Sequence, residues 1–113
     1  MDDLTITAVH SALRGLNQRQ RVIANNIANV ETPGYVAQRV SFEDSLRSAI
    51  VAGKPAQTSV AITPSEAAAN INGNNVQLDD ETMDLVDAGL SYQLMVQALN
   101  SKFGLLRTAI GRQ

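Results

Sequence analysis

Near the N-terminus, apolar residues fall at Ile6, Val9, Leu13, Leu16, Ile23, Ile27 and Val30, and only Gln20 stands where a further one is due. Intervals that alternate three and four lay a continuous stripe along one side of an α-helix, and no strand produces them. The pattern runs for about three and a half heptads, enough for a coiled-coil-like seam. Gln20 in a seam position weakens the packing there while fixing its register. The spacing predicts a helix from about Asp3 to Asn29, capped by Asp2 or Asp3 and roughly 40 Å long at about 1.5 Å per residue. Thr32-Pro33-Gly34-Tyr35 ends it, with Pro and Gly at the two central positions of a type II turn.

The C-terminal third carries a second seam: Leu85, Tyr92, Val96, Leu99, Phe103, Leu106 and Ile110, with Gly89 in its vacant step. Met83, Val86, Leu90 and Leu94 widen the apolar face over the first half. Asp79 reads as the N-cap, with Leu78 and Met83 as a hydrophobic staple around it. Asp80, Glu81, Asp84 and Asp87 crowd the positive end of the macrodipole, and Lys102, Arg107 and Arg112 lie toward the negative end. These signals predict a helix from about Asp80 to Ile110, stopped by Gly111.

Between the seams the chain changes character. Lys54 to Gln77 is built mostly from Ala, Thr, Ser, Asn, Gln, Pro and Gly, with Val60, Ile62, Ile71 and Val76 as its few large apolar residues, and it reads as a long loop. A short helix precedes it: Ser41 with Asp44 three later resembles a cap, Leu46 and Ile50 share a face, and Gly53 and Pro55 close it. Thr58 to Thr63 suits a short extended segment, and Ile71-Asn72-Gly73-Asn74-Asn75 is a turn signal. The chain thus divides into an N-terminal helix and its turn (1–35), a short helix with a loop-rich middle that has room for short strands (36–78), and a C-terminal helix (79–113). The fold class is mostly α, an elongated pair of long terminal helices with coiled-coil-like seams.

Composition supports elongation. The 44% hydrophobic fraction contains only four aromatic residues, Tyr35, Phe42, Tyr92 and Phe103, whereas a compact core is usually anchored by large rings. A two-helix hairpin buries one stripe against one stripe, and ordering the middle segment consumes much of that gain. The isolated chain is therefore expected to be marginal, with further copies or related chains supplying the missing surface.

Charge and residue content exclude most chemistry. Nine Lys plus Arg against eleven Asp plus Glu give a net charge of −2, without the basic patch that phosphate neutralisation needs. Without cysteine there is no thiol nucleophile, disulfide or Cys-ligated zinc. No glycine pattern forms a phosphate loop. A lone His10 beside Ser11 lacks the elbow and flanking glycines of a catalytic serine, so no catalytic residue is assigned. Asp80, Asp84 and Asp87 have no histidine at ligand spacing and read as a solvated helix start, so no metal or cofactor is expected. The opening residues carry no basic and then apolar signal segment, and no run approaches the roughly 20 apolar residues of a membrane span.

One segment asks for an explanation: Ala24-Asn25-Asn26-Ile27-Ala28-Asn29. Asn is a poor interior helix residue, and Asn29 alone is accounted for by the coming turn. In the heptad frame Asn26 flanks the seam formed by Ile23 and Ile27, while Asn25 and Asn29 point to the far side. Outward amides can bond to a neighbouring chain while the seam packs inward, which favours a multi-chain assembly.

Together with Thr32-Pro33-Gly34-Tyr35, this segment resembles the N-terminal signature of bacterial flagellar rod and hook proteins. Gly73-Asn74-Asn75-Val76-Gln77-Leu78-Asp79, Leu90-Ser91-Tyr92-Gln93, Leu99-Asn100-Ser101-Lys102-Phe103 and Leu106-Arg107-Thr108-Ala109-Ile110 resemble the proximal rod members of that family. The arrangement from Tyr92-Gln93 to Lys102-Phe103 separates this reading from the neighbouring rod protein FlgC. The resemblance implies a structural protein, not an enzyme, whose two terminal helices pack together and stack as the inner wall of a hollow rod crossing the periplasm. It implies export by the flagellar type III apparatus without a cleaved signal peptide. Its implied partners are other copies of itself, the adjacent rod proteins FlgC and FlgF, and the base protein FliE with the export gate. The implied assembly residues are Ile23, Asn25, Asn26, Ile27, Asn29, Thr32, Pro33, Gly34 and Tyr35 at one end, and Tyr92, Val96, Leu99, Lys102, Phe103, Leu106 and Ile110 at the other. The competing readings are a small helical export chaperone or other hairpin binding module, and another rod protein such as FlgC.

Overall fold

The computed structural model describes residues 3–111, except for the side chains of Asp3, Leu105, Leu106 and Ala109. The expected cap at Asp2 or Asp3, the Leu106 side chain and Arg112 therefore lie outside the described residues. In chain order the elements are α1 (Asp3–Ala28), β1 (Gln38–Ser41), α2 (Glu43–Val51), a 3-10 turn (Pro55–Gln57), β2 (Ala61–Pro64) and α3 (Leu78–Gly111). The molecule measures 67 × 26 × 14 Å, the elongated helix pair that the two seams require.

The long helices run antiparallel: Asn26 near the end of α1 meets Glu81 near the start of α3, and Ala12 shares a groove with Met95. The α1 seam packs as read, with Leu16 and Ile23 buried and Ile6, Val9, Leu13, Ile27 and Val30 half-buried. The two irregular steps of the seams meet each other. A Cβ placed on Gly89 would lie 3.5 Å from the Gln20 side-chain nitrogen, so the polar gap in one helix is filled against the bare backbone of the other.

On α3 the packed face is Glu81, Leu85, Ala88, Tyr92, Met95 and Leu99, all buried or half-buried. Tyr92, Val96 and Leu99 hold the expected side. The widening residues do not join them: Met83, Val86, Leu90 and Leu94 are 55–66% exposed on the opposite face. Leu78 and Met83 are both exposed, and α3 begins at Leu78, which places Asp79 inside the first turn and not at the cap.

A second layer covers another side of α1. β1 and β2 pair antiparallel with Gln38 opposite Pro64 and Val40 opposite Ile62. A two-stranded ribbon is unstable alone, and this one is held because Val40 and Phe42 pack with Leu16 and Val22 in the main core cluster. The extended segment is therefore found, shifted to Ala61–Pro64, but its partner strand has only Val40 as a buried residue and gave no pattern to read. Ser41 ends β1 and does not cap α2, whose N-cap is Phe42 without a side-chain bond. Gly53, at φ +73°, closes α2 as expected.

Candidate functional site

The Asn-rich end of α1 and the Gly73-Asn74-Asn75 segment, distant in sequence, form one polar clasp. α1 ends at Ala28, leaving carbonyls without helical partners. Asn74 Nδ2 donates to two of the oxygens just beyond, those of Asn29 and Thr32, each at 2.8 Å. Asn74 Oδ1 accepts the Val76 N–H at 2.8 Å, which turns the chain into α3. Next to it, Asn75 Oδ1 accepts the Ala37 N–H at 2.7 Å, and its Nδ2 donates to the carbonyls of Ser65 and Ala67. Backbone bonds from Gly34 N–H to Asn72 O and from Asn75 N–H to Tyr35 O complete the tie.

The predicted turn is present, with Gly34 at φ +73° and the Tyr35 N–H donating to Thr32 O at 3.2 Å. It lies against Gly73, itself at φ +83°. A Cβ there would sit 3.3 Å from Gly34 Cα, so Gly73 lets the backbones approach, while Gly34 is needed for its positive φ.

Asn26 is fully buried and uses both ends of its amide. Oδ1 accepts the Gln38 N–H at 3.0 Å and the Tyr35 hydroxyl at 3.1 Å, while Nδ2 donates to Gln38 O at 2.9 Å and to Glu81 Oε2 at 3.1 Å. The Glu81 carboxylate is wholly buried, and Arg39 donates to its other oxygen at 2.5 Å. Among the described residues every buried side-chain polar atom has a partner, which is what makes a buried carboxylate tolerable.

A second junction bolts the β1–α2 corner onto α1. Arg19 donates to both Glu43 oxygens, at 2.6 and 2.8 Å, and to Val40 O at 2.7 Å, with its guanidinium 4.9 Å from the centre of the Phe42 ring. The hydrogen bonds from Arg19 hold the Glu43 carboxyl well below its usual range, at about 2, and the same bonds raise Arg19.

The residues singled out from sequence fall into two groups. At the clasp, Ile23 and Asn26 are buried, Ile27, Asn29 and Tyr35 half-buried, and Asn25, Thr32, Pro33 and Gly34 exposed. Asn25 Nδ2 approaches the Tyr35 hydroxyl at 3.4 Å, Asn29 Nδ2 donates to Asn25 O, and Thr32 Oγ1 donates to Asn29 Oδ1. The amides read as outward-facing thus have partners in their own chain. Toward the other end of the hairpin, Tyr92, Val96 and Leu99 are half-buried, while Lys102, Phe103 and Ile110 are exposed. Arg19, Arg39, Glu43 and Glu81 were missed as a set, since Glu81 looks like any acid in a helix's first turns and Arg39 has no sequence-local partner.

Ser11 Oγ is buried and given to Pro55 O at 2.8 Å, so it is not offered to His10. What the site does is fix the mutual position of two long helices and leave apolar surface on the outside.

A family model described as flagella basal body rod protein matches residues 7–35. The chain is 34% identical over 119 residues to the flagellar basal body rod protein FlgB of Bacillus subtilis strain 168, covering 94% of this chain and 92% of the relative. It is 31% identical to FlgB of Escherichia coli K12, with 88% of each covered. FlgB of Cereibacter sphaeroides ATCC 17029 is 30% identical, with 96% of this chain and 94% of the relative covered. Likeness at this level along nearly the whole length of both partners, helices and clasp together, means that the chain belongs to the FlgB family of flagellar basal body rod proteins.

Proposed function

We infer that the chain is a structural subunit of the flagellar basal-body rod, in its proximal part, polymerising through its terminal helices and passing torque from motor to hook and filament. The observation that carries this reading is the end-to-end likeness to FlgB proteins, which extends well beyond the residues 7–35 matched by the family model. The mechanism is mechanical. Load is shared over many noncovalent contacts between stiff helices, and no bond is turned over chemically.

Within that role the assigned residues divide by exposure. Ile23 and Asn26 hold the hairpin's shape from inside, whereas Asn25, Thr32, Pro33, Gly34, Lys102, Phe103 and Ile110 face outward toward neighbouring chains. Those neighbours are further copies, the adjacent rod proteins FlgC and FlgF, and the base protein FliE with the export gate. The subunit reaches its place across the periplasm by the flagellar type III route. No helix among the described residues is long and apolar enough to cross a membrane.

The test is deletion of the gene in its host, with swimming assays and electron microscopy of isolated basal bodies. A base ring lacking rod, hook and filament is the expected outcome. Complete, rotating flagella would overturn the assignment and favour a helical binding module, which would form a discrete complex instead of a polymer.

A further inference from the structure

The hairpin leaves two apolar surfaces uncovered, on different sides and at different heights. One is the outer stripe of α3, where Met83, Val86, Leu90 and Leu94 follow one another at steps of three and four and are 66, 64, 56 and 55% exposed. Contiguous aliphatic surface of this kind marks a contact in soluble chains. The other is a groove of about 500 Å³ lined chiefly by Leu4, Ala8, Ala12, Leu46, Ile50 and Met95, between α1, α2 and α3. Its wall on α1 is low because Ala8 and Ala12, one turn apart, carry only methyl groups. That notch has the spacing to receive two large aliphatic side chains four residues apart on another helix, such as Leu90 and Leu94.

Charge gives the pairing a direction. Asp79, Asp80 and Asp87 border the stripe, and no basic residue follows on α3 until Lys102. None of the three holds an ion pair among the described residues. Lys54, immediately before the groove residue Pro55, is exposed and likewise has no ion pair among the described residues. Arg47 stands one position from Leu46 and is tied only to its exposed helix neighbour Asp44. An acidic-edged stripe fits a basic-edged groove, whereas two stripes brought together would oppose their acids. The acidic border also disfavours an anionic lipid surface as the occupant.

We propose that the outer stripe of α3 docks into the α1–α2 groove of a second copy of this chain, with Asp87 and Asp80 facing that copy's Lys54 and Arg47. The contact joins unlike surfaces, so each copy keeps one of each free for the next, and the repeat extends beyond a pair. This rests on the reading of the chain as a rod subunit and specifies which surfaces build the polymer.

The chain has no cysteine, which gives a clean background for cross-linking. In the flagellated host, the gene is replaced by variants carrying Ile50→Cys, Leu90→Cys or both, and cells are treated with a short bis-maleimide. The double variant is expected to give a ladder of multimers, the two single variants expressed together a dimer, and either single variant alone no product. Separately, Lys54→Glu and Asp87→Lys each reduce swimming and cross-link yield several-fold, and the combination restores both toward the unsubstituted level. Leu90→Cys joining to itself or to a different protein overturns the proposal. So does a closed dimer in place of the ladder, absence of products in cells that swim, or failure of the charge exchange to restore swimming. Loss of the rod reading shows differently: cells with the gene deleted would still swim.

Discussion

Gly15 lies under the ring of Phe42. A Cβ at that position would come within 2.7 Å of three ring atoms, and Phe42 is only 4% exposed in the core cluster, with Arg19 stacked on it. In an open helix Gly→Ala gains up to about 1 kcal/mol. Here the overlap is with a ring that cannot swing away, and overpacking of this kind costs about 1–3 kcal/mol. Gly15→Ala should therefore lower stability by about 1–2 kcal/mol in urea unfolding. Gly89→Ala, whose Cβ would make an ordinary 3.5 Å contact with Gln20, should raise it by up to about 1 kcal/mol; equal effects would refute the packing. Asn26 is the other residue on which much depends. Asn26→Leu strands the Gln38 N–H and removes a donor from the buried Glu81 carboxylate, at about 1–3 kcal/mol for each unsatisfied group. A combined loss of about 3 kcal/mol is expected, read as a fall in urea midpoint. Asn26→Asp should not rescue it, since the new carboxylate would face Glu81.

At the scale of elements, the Arg19–Glu43 pair adds a polar tie between α1 and the β1–α2 corner to the apolar packing of Val40 and Phe42, and that tie depends on pH. Glu43 is held at about 2 in the folded chain against 4.5 ordinarily. Because the folded value is the lower one, the contribution is fully present above about pH 4.5 and is lost as pH falls toward 2. The Glu43 side chain is 55% exposed, so solvent screening keeps the effect small. Thermal stability of Glu43→Gln measured from pH 5 to 2 should fall less steeply than that of the unsubstituted chain; parallel curves would exclude the pair as a contributor. The same elements show what a sequence reveals. Both long helices were legible because a stripe repeated many times outweighs any irregular step. The packed face of α3 was only half legible. Heptad reading follows large apolar residues, yet the positions that face α1 include Ala88 and the charged Glu81, while four aliphatic residues face away. β1 was invisible because four residues with one buried side chain make no period. Of the clasp, both motifs stood out singly, but nothing local shows that Asn74 closes the helix end some forty residues before it.

For the whole molecule, antiparallel packing leaves the two helices unequal: α3 has 34 residues and α1 has 26. Beyond Leu99, the exposed Lys102, Phe103 and Ile110 lie toward the far tip of the hairpin. Truncation after Ser101 should shift the melting temperature of the isolated chain by only a few degrees, while abolishing assembly in a complementation assay. A large loss of monomer stability would mean that the tip serves the hairpin and not its neighbours. The clasp has an architectural effect as well. By pinning Gly34 to Asn72 and Tyr35 to Asn75, it gathers both ends of the intervening chain at one point beside the helices. Whatever is added to that chain, for instance among the exposed residues Ala68 to Asn70, leaves the helix register untouched, and even doubling its length costs only about 0.6 kcal/mol of closure entropy. The hairpin is in this sense a socket: it can present a longer loop, an epitope or a small foreign domain on the side of the subunit without retuning the parts that bear load.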